Sequence, residues 1–333
     1  MIIANLIFPS RFLKFLIKSI LLVCLFFACH QKKDIFSTNK PNSPIKSLYL
    51  IILGTTQDAG SPQSGCKKDC CKNLYLHPDP TRKVVSLGLV DPLNEKKYLF
   101  EATPDFTSQL WYLESHDKHS KTNVPDGIFI SHAHIGHYTG LMYLGKESMN
   151  TKKVKVYAMP ILSDFFIKNG PWNQLVEQGN IQVEIMQNKV SIKLENNLTI
   201  HPIQVPHRDE YSETVGFIIQ GPQKKALFVP DIDKWQKWDE NIKKLIRQMD
   251  FVFIDGTFYD AAEINHRNVD EIPHPFITES MKIFADLSSM DKSKVYFIHF
   301  NHTNPLLNIN SNEAKQVLKN GYKIAQFNQI FEL

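Results

Sequence analysis

The chain of 333 residues carries 38 lysines and arginines against 34 aspartates and glutamates, but Arg11, Lys14 and Lys18 fall in a first stretch of twenty-eight residues that has no acid. Without that stretch the charges nearly cancel, so the formal net charge of +4 is no argument for a nucleic-acid surface. The remaining length is ample for one large core, and neither a linker-like break nor a short internal repeat divides it.

The leader is the first element. Its basic start runs into Ile20–Ala28, an apolar core of signal-peptide length, and Cys29 follows the small Ala28 before the polar stretch His30–Asp34. Residues 1–28 resemble a bacterial lipoprotein signal, with Cys29 as the lipidated mature N-terminus. The protein is therefore expected to be exported and anchored to a membrane by lipid. Phe26 and Phe27 are bulky for such a cleavage site, which leaves an uncleaved anchor open. Residues 29–46, including Ser37–Lys46 (S-T-N-K-P-N-S-P-I-K), read as a flexible tether, and 47–333 as one folded domain.

Within that domain ten short runs have strand character: Leu48–Leu53, Val84–Val90, Tyr98–Phe100, Ile128–Ile130, Val154–Ala158, Leu198–Val205, Val215–Ile219, Ala226–Val229, Phe251–Ile254 and Val295–Phe300. Helical patterns cover Phe106–Glu114, Pro160–Lys168, Lys234–Met249, Ile277–Leu287 and Asn312–Asn320. Strands first and strand–helix alternation later suggest helices outside a pair of packed sheets, an α/β or α+β domain. Met159–Val190, which holds Trp172, reads as a lid, and Trp235 and Trp238 at helical spacing read as packing.

The polar residues that carry chemistry gather at the ends of these runs. After the first strand and its loop Gly54–Gly60 comes G-S-P-Q-S-G-Cys66, then Cys70 and Cys71. Ser131–Gly140 reads S-H-A-H-I-G-H-Y-T-G. His132 and His134 can leave one side of an extended segment, and His137 turns back from the first helical turn, so three imidazoles converge as metal ligands do. His207 closes the run ending Val205-Pro-His, and Asp231 ends Leu227–Asp231. Asp233 competes with Asp231 or caps the following helix. Asp255 stands in Asp250–Phe258, His274 precedes a helix, and His299 and His302 follow Val295–Ile298.

The decapeptide resembles the H-x-H-x-D-H signature of the metallo-β-lactamase-fold hydrolases, with Gly136 in place of the aspartate. The resemblance covers Leu48 to Leu333 and implies a four-layer αββα sandwich with metal at the open edge of its two sheets. It implies one ion on His132, His134 and His207, a second on His137 and His299, and Asp231 shared by both. Gly136 leaves the second position weaker, filled by water, or completed by a carboxylate from elsewhere. Zinc, iron and manganese all suit such donors.

The cysteine cluster and the sequence from His299 to Pro305 narrow the likeness to two branches. These are the pyrroloquinoline quinone biosynthesis B proteins and the phosphodiesterase of the carbon–phosphorus lyase pathway. That resemblance implies a structural zinc on Cys66, Cys70, Cys71 and His302, although an exported cysteine pair can oxidise instead. It implies His274 as a general acid, with Asp105 and Asp255 orienting other site residues. The leading expectation is metal-dependent hydrolysis of a small-molecule ester or phosphodiester, without a nucleic-acid partner. Oxidative chemistry like that of the quinone-pathway branch, or a non-catalytic tethered binding protein, are the alternatives.

Overall fold

The computed structural model describes residue 45 and residues 47–116, 122–195, 197–264 and 272–333. The leader, Cys29 and all of the tether but Ile45 lie outside the described residues. Ile45–Leu333 forms one unit, built on two seven-stranded sheets. The first runs in spatial order through β1 (Tyr49–Gly54), β2 (Ser86–Asp91), β3 (Lys96–Phe100), β4 (Gly127–Phe129), β5 (Val154–Ala158) and β6 (Ile181–Ile185). The second runs through β7 (Ile192–Lys193), β8 (Thr199–Gln204), β9 (Val215–Gln220), β10 (Lys225–Val229), β11 (Phe251–Asp255), β12 (Val295–Ile298) and β13 (Lys323–Ile324). The last strand, β14 (Ile330–Glu332), returns to the first sheet beside β1.

Alternation along each strand sorts the apolar residues into three buried layers. Leu50, Ile52, Leu87, Phe100 and Phe129 face inward with Phe217, Phe228, Phe253 and Ile298 of the second sheet. The Phe100 ring meets Phe129 at 5.0 Å and Phe217 at 5.2 Å, locking the sheets face to face. The intervening residues Tyr49, Ile51, Leu53, Ile128 and Val156 pack under Phe106, Leu110, Leu162 and Phe166. These come from the helices Phe106–His116 and Pro160–Lys168. On the far side Leu227, Val229, Val252 and Ile254 pack under the helices Ile242–Gln248, Ile277–Ile283 and Asn312–Lys319. The result is the αββα sandwich implied by the decapeptide.

Strand direction decides where the site can be. In the first sheet β1–β2–β3 are antiparallel and β3–β4–β5–β6 parallel, so β1, β3 and β4 run the same way. In the second, β8–β9–β10 are antiparallel and β10–β11–β12 parallel, so β8, β10, β11 and β12 share a direction. Each sheet thus offers several carboxyl strand ends at one edge, where open sheets place their ligands. The two edges are tied together by the segment after β1: Thr56 bridges both Val84 and Phe300, and the Gln57 amide donates to the Phe300 carbonyl at 2.8 Å.

All ten expected strand runs are strands, but three expectations need correction. The pattern over Lys234–Met249 splits into a 3-10 turn, Trp235–Lys237, and a helix that starts only at Ile242. Asn241 accepts from the Lys244 amide and begins the helix anew. Met159–Val190 is no lid: it supplies the helices Pro160–Lys168 and Trp172–Glu177 and the strand β6, whose I-Q-V-E-I alternation pairs it with β5. The third concerns Asp105, described with the site. Trp235 and Trp238 are buried, donating through Nε1 to Ser280 Oγ and the Gln204 carbonyl.

Candidate metal centre

The decapeptide leaves β4 extended. His134 stands at the N-cap position of the short helix Ile135–Tyr138 in β conformation (φ −86°, ψ 145°), and the His137 amide donates to its carbonyl. His132 and His134 therefore point to one side while His137 folds back beneath them. His207, after β8, and Asp231, after β10, come from the other sheet. His132 Nε2 faces His134 Nδ1 at 2.8 Å, and His207 Nε2 lies 3.2 Å from the same His134 nitrogen. Asp231 Oδ2 is 3.4 Å from His132 Nε2, 3.3 Å from His207 Nε2 and 3.9 Å from His134 Nδ1.

Those spacings bear on whether an ion fits. A tetrahedral shell with a radius of about 2.1 Å separates its ligands by about 3.4 Å, the scale seen here. The far side of each ring is also occupied, which fixes which nitrogen faces inward. Ser131 Oγ lies 2.8 Å from His132 Nδ1, Asp233 Oδ1 lies 3.2 Å from His207 Nδ1, and Glu210 Oε2 lies 3.4 Å from His134 Nε2. Asp231, not Asp233, reaches the centre; Asp233 orients His207. Asp231 Oδ1 is buried without a hydrogen bond among the described residues, and its 3.2 Å approach to His274 Nδ1 is an ion-pair contact only. The donor set fits a divalent ion with nitrogen and oxygen preference.

A second set shares Asp231. His137 Nε2 and His299 Nε2 each lie 3.9 Å from Asp231 Oδ2, and they stand 3.1 and 3.2 Å from Asp58 Oδ1. Asp58 belongs to the loop after β1 and was not among the expected site residues. His299 has a left-handed backbone (φ 68°), an uncommon conformation for a residue with a side chain, and its Nδ1 rests 2.8 Å from Thr257 Oγ1. Behind His137 sits Glu101, fully buried at the end of β3 (φ 71°), with Oε2 3.5 Å from His137 Nδ1 and accepting from the Ser131 amide.

Glu101 has the role expected of Asp105. Asp105 lies four residues on, where the helix Phe106–His116 begins, and touches no site histidine among the described residues. Its carboxylate accepts from the Val84 amide at 2.8 Å and its carbonyl from the amides of Ser108 and Gln109. The strand end, not the helix start, faces the sheet edge.

Electrostatics divide the imidazoles. Burial holds His132 well below the usual histidine range, and His137 beside it adds to the effect. For His137 burial is outweighed by Asp58 and Glu101, which hold it well above that range. His207 is likewise raised against its burial by Asp231, to about 9. Asp58 and Asp231 resist burial for the reciprocal reason: His137 lowers the first, and His207 and His274 the second. His274 Nδ1 lies 2.8 Å from Asp255 Oδ2, and Asp255 with Asp231 raises it well above the ordinary value despite burial. Asp255 is fully buried and is held in turn by the Ile232 and Thr257 amides.

Cys66, Cys70, Cys71 and His302 form a separate cluster with ligand atoms within 4.8 Å of one another. Adjacent Cys70 and Cys71 occupy the first turn of the helix Asp69–Leu76, so both can turn towards His302 Nδ1, at 3.5 and 3.2 Å. All three cysteines are free thiols. Burial, aided by Cys71 beside it, pushes the Cys70 thiol up to about 12, whereas Cys66 is lowered against its burial by the Lys68 amide. Three such sulfurs converging on one imidazole suit a closed site for a soft or borderline cation. Between this cluster and the histidine centre lies a cleft of about 720 Å³, lined by Cys66, Lys67, Lys68, Arg208, His274 and His302 among others.

Known proteins share this fold. The family model of the beta-lactamase superfamily domain matches residues 96–300. The coenzyme PQQ synthesis protein B of Acinetobacter baumannii (strain ACICU) is 24% identical over 304 residues, covering 84% of this chain and 97% of its own. Its counterpart in Pseudomonas putida is also 24% identical over 303 residues, with the same coverage. Among solved structures, zinc-bound PqqB from Methylobacterium extorquens superposes with a TM-score of 0.70 at 20% identity, covering 86% of this chain and all of its own. A diphosphatase of the PhnP family follows with a TM-score of 0.59 at 19% identity, covering 86% and 97%. The family match takes in β3 to β12 and every histidine of the two donor sets, and the chain belongs to the beta-lactamase superfamily.

Proposed function

We propose that the domain is a metal-dependent hydrolase of a small-molecule ester, with a phosphodiester as its leading substrate class. The observation that carries this reading is the convergence of His132, His134, His207 and Asp231 from two sheets, next to a cleft with three cationic side chains. The expected ion is zinc, with iron or manganese also suited to the donors, and a structural zinc is proposed for the cysteine cluster. A bound ion supplies Lewis-acid activation of water and of the scissile group at neutral pH. Lys67, Lys68 and Arg208 favour an anionic substrate. One fold neighbour is itself a diphosphatase.

His274 is suited to protonate the leaving oxygen. Asp255 engages its Nδ1 at 2.8 Å, which favours the protonated ring, and the side chain lines the cleft. His274→Ala is expected to lower kcat by about 10²-fold or more for an alkyl leaving group and far less for nitrophenolate, which departs without a proton. Equal losses with both leaving groups would rule out the proton-donor role.

The test of the hydrolase reading is metal analysis of the purified protein together with cleavage of bis(p-nitrophenyl) phosphate. His132→Ala and His134→Ala are expected to lose the ion of their own donor set and turnover together; activity that survives both changes would end the reading. Iron with oxygen-dependent turnover would favour the oxidative alternative suggested by the coenzyme PQQ synthesis relatives. Export and anchoring through Cys29 remain part of the proposal. Incorporation of a fatty-acid analogue into the wild type but not Cys29→Ala is the expected result, and equal labelling of both would refute lipidation there.

A further inference from the structure

We infer that Asp58 supplies the carboxylate that the decapeptide lacks, and that the bare Gly136 is the space that lets it do so. The inference rests on the metal-centre reading above and concerns the second donor set. Two observations, independent of each other, support it.

One is steric. A Cβ built on Gly136 would fall 2.4 Å from Asp58 Cα, 2.6 Å from its Cβ and 2.7 Å from its Cγ. Any side chain at 136 would therefore collide with the backbone of the Asp58 loop and not merely with a movable side-chain tip. The loop has little freedom to retreat. Thr56 is bridged to Val84 and to Phe300, the Phe300 amide donates to Thr55 and the Gln57 amide to Phe300, each at 2.8 Å. A side chain at 136 and this loop exclude one another.

The other is chemical. Asp58 Oδ1 faces His137 Nε2 at 3.1 Å and His299 Nε2 at 3.2 Å, with its side chain only 13% exposed. Its partner rings turn their other nitrogens to Glu101 and Thr257. Asp58, His137, His299 and Asp231 place four ligand atoms within 4.8 Å of one another. An oxygen donor thus stands in the second set although the motif position is empty. Glycine at 136 marks a carboxylate moved to another loop, and the centre keeps the donors for two ions.

The alternative is that Asp58 only balances the charge of two histidines. Metal counts on the full chain separate the two. By mass spectrometry the wild type is expected to hold two ions in the histidine centre and one at the cysteine cluster. D58A and D58N should each hold one fewer, with affinity for the missing ion reduced by more than the 10- to 100-fold typical of losing a residue that merely orients a ligand. G136A deletes no donor atom, yet it is expected to lose the same ion because the loop is displaced. Should G136A not fold, as a thermal melt would reveal, D58A and D58N decide alone. Wild-type metal content in both Asp58 variants, or a single ion in the histidine centre whatever stands at position 58, would overturn the inference. Absence of any ion from the histidine centre of the wild type would instead remove the reading on which it rests.

Discussion

Asp231→Ala is expected to empty both halves of the histidine centre and to lower metal-dependent turnover by at least about 10³-fold. Asp231 Oδ2 lies within 4 Å of ring nitrogens of both donor sets. Losing His134 would remove a donor from one set; losing Asp231 removes one from each. The residue is 3% exposed, so no solvent-borne carboxylate can readily take its place. A second effect should appear in the metal-free protein, because Asp231 is the counter-charge of His207 and His274. Breaking such a buried pair costs about 3–5 kcal/mol, so urea unfolding near pH 6 in chelator should show a loss on that scale. Full metal content in Asp231→Ala would show that the two sets do not share this carboxylate.

Much of this centre was visible in the sequence because the fold puts its polar residues where apolar runs stop. His132, His207, Asp231 and His299 each follow a run that strand periodicity identifies, and the parallel directions of those strands bring the ends to a common edge. Asp58 escaped because it lies four residues beyond the end of β1, inside the connecting loop and not at the strand end itself. The clue was indirect: Gly136 leaves a donor missing, and the loop Gly54–Gly60 contains one acid. Glu101 was passed over for Asp105 because both are acids just after β3, and only the left-handed backbone at Glu101 turns its side chain to His137. The short edge strands β7, β13 and β14 bear two or three residues each, too few to show a period. Cys70 and Cys71 are adjacent in sequence, and it is the first turn of a helix, with no strand periodicity to announce it, that turns both towards His302.

Opposite responses to pH are expected of the metal-free and metal-loaded domains. In the metal-free protein the folded-state pKa of His207 is raised to about 9, against about 6.5 for an unfolded chain. Its stabilising contribution is therefore complete below about pH 6.5 and is lost as pH rises through 9. The difference amounts to about 3 kcal/mol from this residue, with His137 and His274 acting in the same direction. The depressed carboxylates Asp58 and Asp231 stay ionised across this window and do not oppose the trend. Metal binding reverses the sign, because His207 and His137 must give up their protons to become ligands. Affinity at each position should rise about tenfold per pH unit while one proton is displaced, so the loaded protein gains stability over the range in which the metal-free protein loses it. Urea unfolding at pH 6.5 and 9.5, with chelator or with zinc, reads both slopes, and calorimetry in buffers of different ionisation enthalpy counts the protons released. His207→Gln should flatten the metal-free slope. If the two forms instead respond to pH alike, the imidazoles that hold the metal-free centre together are not the groups that bind the ion.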